Sequence, residues 1–295
     1  MTFIPIQLFE LAFKNLNLVE VYKCRAVCRS WNQTCISPSF VDMNSKLVPV
    51  EEQWPETRRW MTRSKRSFLM YIKRFGRALT ELLLDCGVND SLDWELSRQQ
   101  LRYVVKCCPN LREFYSREAT TYRNTDLKSI SKSTSIQRIC FEETELVLDD
   151  HFIKHLSRMQ NLVELTLYPD HAVRPDIAAI LAGCPQIQRF SAGHVASLEQ
   201  IANENHPNLV HLEIRQSDLR QDQLMQIALL RNVRSLDLTY SLRSLEPLDI
   251  LQLVQDMPAL TEVVDHGVAD WDYEWDSSHP TWVEVQRVVS ERKMN

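Results

Sequence analysis

Glycine is scarce in this sequence, and long apolar segments are absent from it. The chain has 295 residues with only 5 Gly, 44% hydrophobic and 25% charged residues, a composition that excludes a collagen-like fibre and a largely disordered chain. No apolar run reaches the roughly 18 residues that a membrane-spanning helix needs. The opening residues, Met1 to Pro5, contain no basic segment, apolar stretch or small-residue cleavage site, so no secretory signal is expected.

Catalytic and nucleotide-binding motifs are also missing. The sequence contains no G-x-G-x-x-G, no G-x-x-x-x-G-K-[ST] and no G-x-S-x-G. His151 and His155 are four residues apart, as zinc ligands can be, but Phe152 stands where a metalloprotease has glutamate, and two ligands do not complete a tetrahedral site. We therefore expect a protein that is not an enzyme and that holds no metal and no cofactor. Its 8 Cys are expected to be reduced, in the cytoplasm, the nucleus or both.

An apolar pattern of the form L-x-x-L-x-L recurs through most of the chain. Its first positions lie 22 to 32 residues apart, at Leu79, Leu111, Ile136, Leu162, Ile187, Leu209, Val233 and Leu260. The fourth and sixth positions of an extended segment point to the same face, so each pattern predicts a short strand. Segments with helical spacing lie between them, such as Phe152, Leu156 and Met159. We predict an α/β solenoid of stacked strand–helix units that bury one continuous core.

Proline supports this phase, because four prolines stand two residues before the first position of a repeat: Pro109, Pro185, Pro207 and Pro258. Each disfavours helical geometry in the preceding residue and so indicates a helix end. Residues 79–268 resemble a leucine-rich-repeat solenoid of the cysteine-containing branch, as in Cys108-Pro109-Asn110-Leu111. That family implies a curved parallel sheet with outer helices, here in about eight irregular repeats. The ninth repeat position holds mostly small residues instead of the usual Asn or Cys, so a turn fits there but a ladder of side-chain amides does not. These residues are Gly87, Ala119, Thr144, Asp170, Val195, Ser217, Ser241 and Val268.

Residues 4–40 follow a different pattern, with helical spacing in Leu8, Leu11 and Ala12. An Ile4-Pro5 opening is followed by Ala12-Phe13, Leu16 and a closing Val27-Cys28-Arg29-Ser30-Trp31. This segment resembles an F-box, a small all-α three-helix unit, although the family usually has Ile at position 12 and often has Pro at position 18. About 40 residues are too few to bury a good core alone, so such a unit needs a partner surface or serves as a cap on the solenoid.

The F-box resemblance implies a Skp-family adaptor as partner and, through it, a cullin and a RING subunit. The candidate adaptor-binding residues are apolar: Ile4, Pro5, Leu8, Phe9, Phe13, Leu16 and Val21. The chain is accordingly divided into an F-box at 1–45, a helical linker or N-terminal cap at 46–78, the repeats at 79–268 and a capping tail at 269–295. Charge differs along the chain: residues 1–78 contain 13 Lys and Arg and 6 Asp and Glu, a net of +7, whereas the remainder has a net of −12.

Two segments admit more than one interpretation. The basic stretch within 46–78 is either a nucleic-acid or nuclear-import patch or, as we favour, a solvated helix face. On that interpretation the residues packed inward are Trp60, Phe68, Tyr71, Ile72 and Phe75. The acidic segment from Asp265 to Asp276, with its tryptophans and the later Trp282, either caps the last repeat, which we favour, or recognises a substrate. No membrane partner is expected, and nucleic acid is not the favoured partner.

Odd repeat positions of each strand point away from the core and could bind a protein substrate. Tyr and Arg most often anchor protein interfaces, and six such residues occupy these positions: Tyr115, Arg117, Arg138, Tyr168, Arg189 and Arg215. The expected function is that of a substrate-recognition subunit of a Skp–cullin–F-box ubiquitin ligase. The alternatives are an adaptor-bound scaffold without a role in ubiquitylation and a repeat-type protein-binding module. The substrate itself cannot be read from the sequence.

Overall fold

Parallel strands in sequence order form the framework of the protein. The computed structural model describes residues 46–47, 68–70, 72–73, 76–85, 96–117, 124–144, 146, 148–169, 175–195, 198, 201, 206–217, 219–239, 241, 247–264 and 280–294. Within them, one sheet contains nine strands in the order β1 to β9, each parallel to its neighbour. The strands are β1 (Lys46–Leu47), β2 (Glu81–Asp85), β3 (Glu113–Arg117), β4 (Arg138–Thr144), β5 (Glu164–Pro169), β6 (Arg189–Gly193), β7 (His211–Arg215), β8 (Ser235–Asp237) and β9 (Glu262–Val264).

The strand register follows the repeat phase that the sequence predicts. The fourth repeat positions pair with one another from β2 to β9, in the row Leu82, Phe114, Ile139, Leu165, Phe190, Leu212, Leu236 and Val263. Even the weak sixth positions Ser116 and Ala192 are almost fully buried, because a strand has a period of two residues and the backbone fixes the face. The predicted α/β solenoid is therefore confirmed. The sequence pattern missed β1, which pairs with β2 ahead of the first predicted repeat.

Helices connect most of the strands and bury one face against the same core. They are α1 (Arg98–Cys107), α2 (Asn124–Ile130), α3 (Asp150–Leu156), α4 (Ile177–Gly183), α5 (Gln221–Ala228), α6 (Pro247–Asp256) and α7 (Pro280–Met294), with a 3-10 turn at Gly76–Ala78. Several begin at a side chain that accepts from exposed backbone N–H groups. Ser97 and Gln100 form a reciprocal capping box at α1, and Asp149 and Asp176 cap α3 and α4. Such caps satisfy donors that have no partner within the helix.

A ladder of side-chain amides crosses the turns that lead into the strands. It joins successive repeats one residue before the first apolar position, where Asn110 donates to the Arg77 carbonyl at 2.6 Å and Asn208 to the Pro185 carbonyl at 3.0 Å. Asn161, Gln186 and Asn232 make equivalent bonds. The expectation that no amide ladder fits thus holds only for the ninth repeat position. The turns carry the amides instead, because each proline or tight turn leaves a backbone carbonyl unpaired.

His206 occupies a buried turn position that most other repeats fill with an apolar side chain. It is 3% exposed, and among the described residues its ring nitrogens make no hydrogen bond of good geometry. Burial lowers the pKa of His206, and the nearby Leu181 carbonyl offsets only part of this effect. The neutral ring is therefore the form that the folded state accommodates.

We expect acidification to destabilise the protein through His206. Because the folded state binds this proton less readily than the unfolded state, stability is full above the ordinary histidine pKa of about 6.5 and falls as the pH drops below it. The variant His206→Met, which copies Met159 and Met257 at equivalent positions, should lose part of this dependence. Urea unfolding of both proteins between pH 7 and pH 5 measures it. Identical pH slopes would contradict the prediction, and His155→Gln provides a comparison at another buried histidine, whose pKa burial likewise lowers.

The last helix, α7, lies against the end of the solenoid. Val285 and Val289 are buried, and Trp282 packs partly buried against the core. The Arg292 guanidinium donates to the carbonyls of Val254 and Met257 at 2.9 and 2.8 Å, at the C-terminal end of α6. A cation there satisfies unpaired carbonyls and complements the helix dipole. The segment 265–279, with its predicted capping or recognition role, lies outside the described residues.

The N-terminal part of the chain is described only in pieces. Phe68 and Ile72 are fully buried and Lys73 is exposed, which agrees with a helix face packed inward and solvated on its basic side. The predicted three-helix unit at 1–45 lies outside the described residues. Among the helices that are described, none combines the length and apolar character needed to cross a membrane.

Candidate functional site

One face of the sheet carries all six residues that the sequence nominated. On β3 the odd positions alternate with the buried ones, and Arg117 at its end is exposed. The strand register then places the remaining nominated residues on the same face, at the third, fifth or seventh repeat position. The face is called here the outward face, and it consists of the odd repeat positions of β2 to β9. Its polar side chains form two groups.

The first group is a charge ladder across four strands at the third repeat position. Glu113 of β3 accepts from Arg138 at 3.1 Å, Arg138 also pairs with Glu164 at 3.2 Å, and Glu164 in turn pairs with Arg189 at 3.6 Å. Neighbouring strands lie about 4.8 Å apart, so alternating charges at one repeat position come within ion-pair distance. The arginines of the ladder remain about half exposed, and such pairs contribute little stability.

Tyr115 and Arg117 extend this group along β3. The Tyr115 hydroxyl donates to Glu113 at 2.8 Å, and burial together with the Glu113 carboxylate raises the pKa of Tyr115. Arg117 pairs with Glu142 of β4 at 3.7 Å. The phenol therefore acts here as a neutral hydrogen-bond donor, and every nominated residue of this group is already tied to a carboxylate.

The second group lies across β5 to β8 around Arg215. Its guanidinium pairs with Glu213 on its own strand and approaches Asp237 of β8 at 3.9 Å. It also lies over the ring of Tyr168, 5.5 Å from the centroid, a favourable cation–π geometry. Gly193 occupies the seventh position of β6, between Tyr168 on β5 and Arg215 on β7. A Cβ there would come within 3.1 Å of the Tyr168 ring. The missing side chain is what lets Arg215 and Tyr168 meet across β6.

Glu213 and Asp237 are the most buried carboxylates of the outward face, each at 9% exposure. Burial opposes the ionisation of Glu213, but the His211 ring, the Ser191 and Tyr168 hydroxyls and the Arg215 charge favour the carboxylate and lower the pKa of Glu213 to about 2. The pKa of Tyr168 is raised, first by burial and then by Glu213. Glu213 is thus a charged, largely desolvated group set in the floor of this face.

The segment that precedes the sheet in sequence is similar to a known family of domains. Residues 3–42 match the F-box domain. The resemblance seen in the sequence is therefore confirmed for this segment, which contains all seven candidate adaptor-binding residues. No curated protein sequence matches the chain.

Solved structures with a similar backbone have low sequence identity to this chain. An internalin from Listeria monocytogenes is 16% identical with a TM-score of 0.43, and a protein from Bacteroides fragilis is 10% identical with a TM-score of 0.40. The match covers 68% of this chain in both cases and 53% and 60% of the two structures. The C-terminal domain of tropomodulin from Caenorhabditis elegans is 11% identical with a TM-score of 0.24, over 78% of this chain and 95% of that domain.

After the F-box segment in sequence, the solenoid contains a serine ladder that sequence reasoning missed. The hydroxyl of Ser241 accepts from the Ser217 N–H at 3.1 Å, and the hydroxyl of Ser217 accepts from the Val195 N–H at 2.9 Å. Both serines are at the ninth repeat position and are buried. Their recurrence there was the available signal. They replace the amides of typical repeats and fix the turns at the C-terminal edge of the sheet.

Nucleophilic and metal-binding groups are not assembled on the described part of the outward face. Cys140 lies at a fifth position, but burial and then the nearby Glu142 charge raise the pKa of its thiol to about 12, which keeps the thiol protonated. No group of three His, Cys, Asp or Glu side chains comes together in a metal-binding arrangement within the described residues. His155 is buried and His151 is exposed, so the pair suggested by the sequence does not share one environment. The face offers hydrogen bonds, charge and aromatic surface, which suit protein binding.

Proposed function

We propose that this chain is the substrate-recognition subunit of a Skp–cullin–F-box ubiquitin ligase. The F-box match at residues 3–42 is the observation that carries the proposal. In this function the F-box segment binds a Skp-family adaptor, which links the chain to a cullin and a RING subunit. The solenoid holds a protein substrate, and the other subunits carry out the chemistry of ubiquitin transfer in the cytoplasm, the nucleus or both.

The arrangement of the outward face supports a binding function for the solenoid. Parallel strands present arginines, tyrosines and carboxylates on one broad surface, and tyrosine and arginine are residue types that often anchor protein interfaces. A substrate held there would be brought close to the transferring subunit, so its effective concentration rises without a catalytic group on this chain. This division of labour agrees with a chain whose sequence lacks catalytic motifs.

The adaptor step is tested by co-purification with a Skp-family adaptor. The double variant Pro5→Ala/Phe13→Ala removes two apolar residues of the matched segment and should weaken adaptor binding at least tenfold, or about 1.4 kcal/mol. Met225→Ala, at an exposed apolar residue of α5, is the matched control and should bind as the wild type does. Equal adaptor binding by the double variant and the wild type would reject the ligase function and the scaffold function together.

The ubiquitylation step needs a separate measurement. Proteins that co-purify with the full chain are added to a reconstituted ligase with the cullin and RING subunits. A recognition subunit should promote their modification, and the Pro5→Ala/Phe13→Ala variant should not. Adaptor binding without modification of any co-purified protein would leave the chain as an adaptor-bound scaffold.

A further inference from the structure

The charge of the outward face points to one class of ligand. Among the odd repeat positions whose side chains are described there are seven carboxylates and four guanidinium groups, a net of −3 with histidine neutral. The carboxylates are Glu81, Glu113, Glu142, Glu164, Glu213, Asp237 and Glu262. The whole sequence after residue 78 is acidic as well, with a net of −12. An extended face with this excess attracts cations and repels anions.

The arginines of this face do not form a receptor for a phosphate or an acidic peptide. Each of them is held by at least one carboxylate, and Arg138 and Arg215 each lie between two. A phosphate group would have to break these pairs and approach Glu164 or Glu213. That repulsion and the loss of existing pairs oppose anion binding.

A second observation lies in the floor of the face. Glu213 and Asp237 are each 9% exposed, and Arg215 approaches both, with its Nε atom paired to the Glu213 Oε1 atom. One guanidinium thus serves two largely desolvated carboxylates, so the floor keeps an excess of negative charge that a lysine or arginine side chain from a ligand would offset.

We propose that the outward face binds a basic segment of its partner protein, with lysine and arginine side chains directed at its excess of carboxylates, Glu213 and Asp237 among them. This rests on the proposed function, because it assigns a chemical class to the substrate of the recognition subunit. The binding site comprises the charge ladder of β3 to β6 and the Arg215 group of β5 to β8. Its affinity depends on salt, since half-exposed charges carry it.

The full-length protein is titrated against labelled peptides of equal length that are rich in lysine and arginine, rich in aspartate and glutamate, or phosphorylated on serine. Fluorescence anisotropy should show the basic peptide binding at least tenfold more tightly than the others, with weaker binding at high salt. Tighter or equal binding of the acidic or phosphorylated peptide would overturn the proposal. So would the absence of measurable binding by the basic peptide.

Charge variants then locate the site. Glu142→Gln/Glu164→Gln changes the net charge of the face from −3 to −1 and should weaken basic-peptide binding about three- to tenfold. Asp222→Asn on α5 makes one such change at an exposed side chain off the sheet and should have no effect. Arg138→Gln/Arg189→Gln should strengthen binding, and it decides the matter if the glutamate variant does not fold. Unchanged affinity in the arginine variant, or in a folded glutamate variant, would overturn the site.

The same variants distinguish this inference from the proposed function. All of them keep residues 3–42 intact and should co-purify with the Skp-family adaptor as the wild type does. If the wild type binds basic peptides at this face but no adaptor, the ligase function fails and the charge preference stands. If it binds the adaptor but prefers acidic peptides, the ligase function stands and this inference fails.

Discussion

Replacing Phe141 with alanine should lower the free energy of unfolding by about 3–5 kcal/mol. Phe141 is fully buried at a sixth repeat position of β4, and its ring meets Phe114 of β3 edge-on with centroids 6.2 Å apart. The substitution leaves a cavity in the middle of the stack and removes the aromatic pair between two repeats. In a solenoid each repeat is stabilised by its neighbours, so the loss weakens the coupling on both sides.

Urea unfolding followed by circular dichroism measures this effect. Phe141→Leu keeps most of the volume and should cost clearly less than the alanine variant. Gln137→Ala, just before the same strand and exposed, should change stability by no more than about 0.5 kcal/mol. A loss below about 1 kcal/mol for Phe141→Ala would mean that this side chain does not belong to the repeat core.

Replacing Ser241 with alanine should cost about 2–4 kcal/mol, because one hydroxyl serves two buried backbone groups. It accepts from the Ser217 N–H at 3.1 Å and donates to the Ile214 carbonyl at 2.8 Å. Ser241 has no solvent exposure, so water does not replace either bond without a rearrangement of the turn. The substitution removes only one oxygen, and lost packing contributes little to the effect.

Thermal and urea unfolding of Ser241→Ala check this expectation against a matched exposed site. Ser131, where the hydroxyl bonds the Lys128 carbonyl in an exposed turn, undergoes the same chemical change in Ser131→Ala. That control should lose about 0.5 kcal/mol or less. Equal effects at the two positions would show that the serine ladder does not hold the C-terminal edge of the sheet.

Local sequence patterns were enough to identify the repeat phase and the F-box segment. Apolar residues at the fourth and sixth positions, with prolines two residues before four of the repeats, identify the strands, because side-chain period and proline geometry are properties of a few consecutive residues. The F-box segment was equally visible as ordered residue types at fixed spacing. Even the six nominated residues were placed on the outward face by counting odd repeat positions.

What the tertiary structure alone decided is which of these residues meet. The charge ladder forms only because the strands stack in register, since its members are about 25 residues apart in sequence. They are Glu113, Arg138, Glu164 and Arg189. Groups from separate repeats likewise bury Glu213 and form the serine ladder. They also bring Arg215 over the Tyr168 ring, across the strand that carries Gly193. Local sequence sets the direction of each side chain, whereas its charge partners and desolvation come from neighbours distant in the chain.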